Sequence, residues 1–180
     1  DILLFLGEVK QKKFTVIGAG SNTLIRDGGI KGITIKLSSA FSYANIEKKN
    51  IIDVGASTLD KKIADFAMEN SLTGFEFLAC IPGSIGGAVR MNTGCYGDDI
   101  SKILYSIKAI DGQGRIKEIM SKDIKFSYRS TNLEKNLIIT SIKLIGKISL
   151  KKKIEEKQKA MIERKKNSQP NQIKTCGSTF

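Results

Sequence analysis

The chain has 180 residues, of which 41% are hydrophobic and 27% charged, a composition typical of a globular protein. No apolar run reaches the ~18 residues that a membrane-spanning helix requires, so no membrane partner is expected. Thirty Lys and Arg residues against eighteen Asp and Glu residues give a formal net charge of +12, which raises the possibility of an anionic partner.

The first predicted strand, Phe14–Ile17, leads into a loop of small residues. The loop consists of Gly18, Ala19, Gly20, Ser21, Asn22 and Thr23. Its backbone N–H groups and hydroxyls would suit a pyrophosphate, which needs many short hydrogen bonds. A Rossmann motif is excluded, because Thr23 occupies the third glycine position and no acidic residue ends a second strand. Taken alone, the loop is equally compatible with a tight structural turn.

Two further strands and a helix are predicted next. Residues 32–37 alternate as a half-buried strand does, and Ile51–Val54 is predicted as another strand, which ends at Gly55. Ser57 and Asp60 resemble a capping box, which predicts a helix that ends near Asn70.

Residues 74–97 are dense in glycine yet still apolar, which is not the composition of a linker. The most distinctive residues of this second loop are Pro82, Gly83, Ser84, Ile85, Gly86, Gly87 and Ala88. Pro82 fixes the entry into the loop, and Gly86 and Gly87 leave no side chain between backbone and ligand. Close approach to a ligand is therefore favoured over a merely structural turn.

Strands are predicted at residues 103–110, 116–120 and 137–144, and a helix over Ile148–Lys166. The helix mixes eight basic residues with acidic ones, so most of the charge is expected on solvated surface. An anionic small ligand is the alternative, and no nucleic-acid partner is expected. Leu150, Ile154 and Met161 of this helix are expected to lack a packing partner. Strands and helices interleave irregularly, which favours the α+β class.

Residue counts limit the available chemistry. Cys80, Cys95 and Cys176 form no CxxC pair, so neither a disulfide framework nor a metal site is expected, and a reducing cytoplasm fits. Histidine is absent, which removes the commonest general base and metal ligand. Acid–base chemistry must come from Ser, Tyr, Cys, Lys or a carboxylate.

Together the motifs resemble the UDP-N-acetylenolpyruvoylglucosamine reductase family. In chain order they are residues 18–22, 81–92, 94–97, 126–130 and 164–180. The resemblance implies an α+β FAD-binding fold of the vanillyl-alcohol oxidase type. It also implies domain bounds: residues 1–40 for the rest of a first FAD-binding subdomain, 41–146 for a second, and 147–180 for the start of a substrate domain.

The resemblance implies a reaction that uses FAD as cofactor and NADPH as hydride donor. It reduces the enolpyruvyl group of UDP-N-acetylglucosamine enolpyruvate to UDP-N-acetylmuramate, a step of peptidoglycan synthesis. FAD is expected to bind non-covalently, through both loops, to a monomeric cytoplasmic protein. Arg129 matches the residue that stabilises the enolate, since a guanidinium stays charged and can meet both carboxylate oxygens. Ser178 matches the proton donor. Tyr96 and Tyr128 are expected either to face the substrate or to lie in the core.

The chain also departs from the family pattern. No residue matches the family's catalytic glutamate, which lies beyond the serine motif, and Cys80 stands where glycine is expected. We therefore expect a fragment that lacks part of the N-terminus and most of the substrate domain, and that is catalytically incomplete alone. The alternative is a non-catalytic flavin- or nucleotide-binding module from a decayed gene.

Overall fold

The computed structural model describes residues 14–169, which combine helices with one larger and several two-stranded sheets. The helices are α1 (Asp60–Glu69), α2 (Ile85–Arg90) and α3 (Lys151–Ser168). The strands are β1 (Phe14–Ile17), β2 (Ile33–Lys36), β3 (Ala44–Lys48), β4 (Ile51–Gly55), β5 (Leu72–Thr73), β6 (Gly94–Cys95), β7 (Asp98–Asp99), β8 (Leu104–Ile110), β9 (Ile116–Met120), β10 (Phe126–Ser127), β11 (Ser130–Thr131), β12 (Ile138–Ile145) and β13 (Lys147–Ile148). The predicted α+β class is confirmed. None of the helices within residues 14–169 combines the length and the apolar composition that a membrane span requires.

The first two strands form a parallel pair separate from the main sheet. Phe14 of β1 lies opposite Ile33 of β2, and Ile17 lies opposite Lys36. Because the strands run in the same direction, residues 18–32 must lead from the end of β1 back to the start of β2. This connection begins with the first glycine-rich loop, which therefore lies at the C-terminal end of β1.

The main sheet has the strand order β3–β4–β12–β8–β9 and is antiparallel throughout. Its central strands supply fully buried side chains such as Val54, Ile107 and Ile142. Ile63 of α1 and Ile85 of α2 belong to the same core cluster, so both helices are anchored on this sheet. The sheet and α1 thereby fix the start of the second loop relative to the end of β4.

The start of α1 differs from the sequence prediction. The N-cap residue is Leu59, which makes no side-chain capping bond. Ser57 Oγ instead donates to the backbone carbonyl of Ser38 at 2.9 Å, and the Asp60 side chain is buried. The predicted capping box is therefore wrong, because a distant loop recruits the Ser57 hydroxyl.

Helix α3 packs back onto the core, which corrects the expectation that its apolar residues lack partners. Ile154 is 2% exposed and Met161 packs against the core cluster, whereas Leu150 is 66% exposed. Polar contacts add to this docking. Lys157 Nζ lies 3.3 Å from a carboxylate oxygen of the buried Glu76. The partner surface is formed by α1 and the 3₁₀ turn at residues 76–80, which helical periodicity alone could not reveal.

Candidate cofactor site

The two glycine-rich loops predicted from the sequence converge on one cleft of about 450 Å³. The predicted cofactor residues that line it are Gly18, Ala19, Ser84, Gly86 and Gly87. The walls also include apolar side chains, among them Leu37 and Ile139. A concave, largely apolar cleft with a few polar groups is the usual form of a cofactor site.

The loops contact each other directly. The Ala19 N–H donates to the Ser84 hydroxyl at 3.2 Å, and Ser84 is buried. A Cβ atom at Gly18 would lie 2.5 Å from the same hydroxyl oxygen, so a larger residue could not occupy this position without displacing Ser84. Glycine at position 18 therefore allows the first loop to meet the second.

The second loop is fixed by backbone contacts to the end of β4. The Gly86 N–H donates to the Ala56 carbonyl and the Ile85 N–H to the Thr58 carbonyl, each at 3.0 Å. The side chains of Ile85 and Ala88 are buried in the core. These two residues therefore anchor the loop through their side chains, while Gly86 and Gly87 form the surface of the cleft.

The remaining predicted cofactor residues lie beside the cleft and do not line it. Gly20, Ser21, Asn22 and Thr23 are exposed in the first loop, and Thr23 N–H closes a turn onto the Gly20 carbonyl at 3.2 Å. Pro82 and Gly83 lie at the entry of the second loop, next to the N-terminus of α1. The Gly83 carbonyl there accepts a hydrogen bond from the Asp60 N–H at 3.0 Å.

Three basic residues that sequence reasoning missed line the cleft: Lys36, Lys62 and Arg90. Among the described residues that line it, none is acidic. The Arg90 guanidinium donates to the carbonyls of Leu133, Glu134 and Leu137 at 2.7–3.1 Å. Burial lowers the pKa of Arg90, which stays charged because a free guanidinium titrates above ~12. The cleft therefore carries a positive field suited to phosphate groups.

The predicted catalytic arginine lies outside this cleft, in the turn between β10 and β11. Arg129 has a φ of 53°, and its guanidinium carbon lies 5.8 Å from the centre of the Tyr128 ring. Tyr128 is 89% exposed and hence not a core residue. The Thr131 hydroxyl donates to the Arg90 carbonyl at 3.2 Å, which ties this hairpin to the end of α2. Helix α2 thus connects the second loop to the turn that carries Arg129.

The other predicted substrate residue, Tyr96, is half-buried and has a φ of 55°. Its ring faces the Arg164 guanidinium of α3 at 4.5 Å. Ser178, the predicted proton donor, lies outside the described residues, as does Cys176. The roles of Arg129, Ser178, Tyr96 and Tyr128 stay predictions.

Comparison with known proteins identifies the class of this fold and cleft. A protein family described as "FAD binding domain" matches residues 6–120. The chain therefore belongs to the FAD-binding domain family, and the predicted FAD-binding fold is confirmed. Among the described residues, no group of three or more His, Cys, Asp or Glu side chains could hold a metal ion.

Relatives named UDP-N-acetylenolpyruvoylglucosamine reductase match along the whole chain, which confirms the resemblance drawn from the motifs. The protein of that name from Pelagibacter ubique (strain HTCC1062) is 43% identical over 181 residues, covering 100% of this chain and 60% of the relative. The one from Orientia tsutsugamushi (strain Ikeda) is 42% identical over 184 residues, with shares of 100% and 61%. The crystal structure of the Thermus caldophilus enzyme superposes with a TM-score of 0.83 at 27% identity, over 94% of this chain and 61% of that one. The chain thus spans about 60% of the length of the relatives it matches.

Proposed function

We propose that the protein reduces the enolpyruvyl group of UDP-N-acetylglucosamine enolpyruvate to UDP-N-acetylmuramate for peptidoglycan synthesis, with FAD as cofactor and NADPH as hydride donor. One observation carries the proposal. Two small-residue loops meet at one cationic cleft in a chain 43% identical to a UDP-N-acetylenolpyruvoylglucosamine reductase. The proposal concerns the full-length protein, since the chain spans about 60% of that relative. We do not expect residues 1–180 alone to turn over substrate.

The cleft fits FAD. Gly86 and Gly87 present backbone without side chains, and Lys36, Lys62 and Arg90 would balance the charge of the two phosphates. Bound FAD would supply the transfer of hydride from NADPH to the substrate double bond. The binding of the substrate carboxylate and the donation of the proton are assigned to residues of the chain.

We propose that FAD is held without a covalent bond. Histidine is absent from the chain, and neither Cys80 nor Cys95 lines the cleft. Burial raises the pKa of the Cys80 thiol, and it raises the pKa of Cys95 to about 12, so both thiols are weak nucleophiles at neutral pH. Acid precipitation of the FAD-loaded protein should therefore leave all yellow colour in the supernatant. Colour in the pellet would require a covalent link.

Arg129 would bind the pyruvyl carboxylate and stabilise the negative charge that develops on it. Among the described residues it has no carboxylate partner, so its charge is available to a ligand. After hydride has been added to one carbon of the double bond, Ser178 would donate a proton to the other, the pyruvyl carbon next to the carboxylate. With Ser178→Ala, incorporation of solvent deuterium at that carbon should slow much more than NADPH oxidation in the absence of substrate. Deuterium incorporation at the unchanged rate would exclude Ser178 as the donor.

The central experiment uses the purified full-length protein with FAD, NADPH and the enolpyruvyl nucleotide sugar. Substrate-dependent loss of NADPH absorbance and formation of UDP-N-acetylmuramate, identified by mass spectrometry, are expected. Binding of FAD without any substrate-dependent oxidation of NADPH would instead favour a flavin-binding module without turnover. We also propose a monomeric cytoplasmic protein, and light scattering after size-exclusion chromatography tests the monomer.

A further inference from the structure

Asp60, the first residue of α1, holds a carboxyl group that the surrounding protein leaves without a partner. The residue is 0% exposed, and neither side-chain oxygen makes a hydrogen bond. Desolvation by burial raises the pKa of Asp60 to about 8. Buried polar groups are nearly always paired, because an unpaired one loses its hydration without compensation. The Asp60 carboxyl therefore requires an explanation beyond the packing of α1.

This carboxyl lies at the junction of the two loops. A Cβ atom placed on Gly83 would lie 2.7 Å from Asp60 Oδ2 and 3.7 Å from Ser21 Oγ. The backbone of the same region is tightly held, since the Asp60 N–H donates to the Gly83 carbonyl and Leu59 bridges to Ser84. Asp60 Oδ2 and Ser21 Oγ thus both lie within 4 Å of the position that a side chain at residue 83 would fill, and glycine leaves this position open.

The usual structural roles of an aspartate at this position are not filled by Asp60. Leu59 is the N-cap residue of α1 and makes no side-chain cap, so the helix start does not use the carboxyl. Among the described residues, no basic side chain forms an ion pair with Asp60. By contrast, the buried carboxylate of Glu76 is paired with Lys157 of α3.

We propose that Asp60 is a positioning residue of the cofactor site, whose carboxyl oxygen accepts a hydrogen bond from the Ser21 hydroxyl when FAD is bound. The inference rests on the proposed binding of FAD in the cleft. The existing bond from Ala19 to Ser84 holds the start of the first loop. A second bond two residues later would fix the loop at both sides of Gly20, next to the cofactor.

The test compares FAD affinity with the stability of the cofactor-free protein. Asp60→Leu should weaken FAD binding by roughly 3- to 10-fold, the usual effect of one hydrogen bond, while the cofactor-free protein becomes no less stable. Asp60→Asn keeps an acceptor oxygen and should hold FAD within about twofold of the unchanged protein. A merely structural role would instead lower both quantities together. Should Asp60→Leu fail to fold, Asp60→Ala carries the same expectations.

A control and a double variant complete the design. Glu76→Gln should destabilise the protein yet leave the FAD dissociation constant of the folded molecules unchanged, because Glu76 lies away from the cleft. Ser21→Ala should weaken FAD binding by roughly 3- to 10-fold alone and have no further effect in Asp60→Leu. Flavin fluorescence quenching measures each constant.

The possible results separate the two proposals. Unchanged FAD affinity in Asp60→Leu, or a full Ser21→Ala effect in that background, would overturn the role of Asp60 alone. Failure of the unchanged protein to bind FAD would overturn the cofactor assignment, and the role of Asp60 with it.

Discussion

The backbone N–H of Ala19 donates a hydrogen bond to the Ser84 hydroxyl at 3.2 Å, joining residues 65 positions apart. This bond brings together two loops that each carry many small residues. Neither loop forms the cleft alone, since both contribute to its lining. The contact therefore sets the width of the cofactor site, and substitutions at the contact should affect cofactor binding before they affect folding.

Gly18→Ala tests this contact. The new Cβ would lie 2.5 Å from Ser84 Oγ, so the loops must separate or Ser84 must turn away. We expect FAD affinity to fall by roughly 5- to 150-fold, since both loops line the cleft and overpacking typically costs about 1–3 kcal/mol. Flavin fluorescence titration measures the change. Gly28→Ala is the matched control, because no atom lies within 4 Å of its Cβ position. Equal effects of the two substitutions would contradict the proposed contact.

Asp60 should make stability depend on pH. The folded-state pKa is about 8 and the ordinary value is 3.8, so the folded protein keeps a proton that the unfolded chain loses in this interval. The free energy of unfolding should therefore fall as pH rises from about 4 to about 8, by up to ~1.4 kcal/mol per pH unit. Asp60→Asn cannot titrate and should remove this component. Urea unfolding across that pH range measures it, and parallel curves for both proteins would contradict the assignment.

Lys157 should be the main polar anchor of α3. Its Nζ lies 3.3 Å from Glu76, whose carboxylate also accepts from the Gly74 N–H at 2.9 Å. Lys157→Met leaves a buried carboxylate that keeps part of its hydrogen bonding, so we expect a loss of about 1–3 kcal/mol. Lys159→Met, which removes an exposed pair with Glu155, should cost less than ~0.5 kcal/mol. Chemical denaturation monitored by circular dichroism measures both, and similar losses would show that Glu76 does not need Lys157.

The sequence predicted the elements whose signal is local. The strand Phe14–Ile17 matches β1, the apolar run at residues 137–144 corresponds to β12, and both small-residue loops were recognisable from composition. Helix α2 was missed because two glycines within six residues lower its helix propensity. Strand β3 was missed because four of its five residues are exposed and only two, Ala44 and Ile46, are apolar, which is too short an alternation to indicate a strand.

Contacts distant in sequence account for the remaining differences. The Ser57 hydroxyl donates to the carbonyl of Ser38, 19 positions earlier. The predicted capping box was therefore wrong, although Ser57 and Asp60 have the spacing of one. Asp60 is buried beside Gly83 of the second loop, and Lys62 of the same helix lines the cleft. The sequence around a charged residue does not show which distant residues will pack against it. The burial of Asp60 and the position of Lys62 in the cleft could therefore be identified only from the structure.

Arg129 is the residue whose replacement should separate substrate chemistry from cofactor binding. It lies in the β10–β11 turn, outside the cleft, and its hairpin is tied to the end of α2 through Thr131 and Arg90. In the full-length protein, Arg129→Ala should lower kcat/KM for the enolpyruvyl substrate by roughly 10²–10³, the usual cost of losing one preorganised electrostatic contact.

Arg129→Lys should restore only part of this loss, because an ammonium cannot meet both carboxylate oxygens as a guanidinium does. The FAD dissociation constant should stay unchanged in both variants, since Arg129 does not line the cleft. Lys122→Ala, an exposed basic residue before the same hairpin, is the control and should behave as the unchanged protein. Steady-state NADPH oxidation at saturating FAD measures kcat/KM. Full activity of Arg129→Ala would show that another group stabilises the negative charge on the substrate.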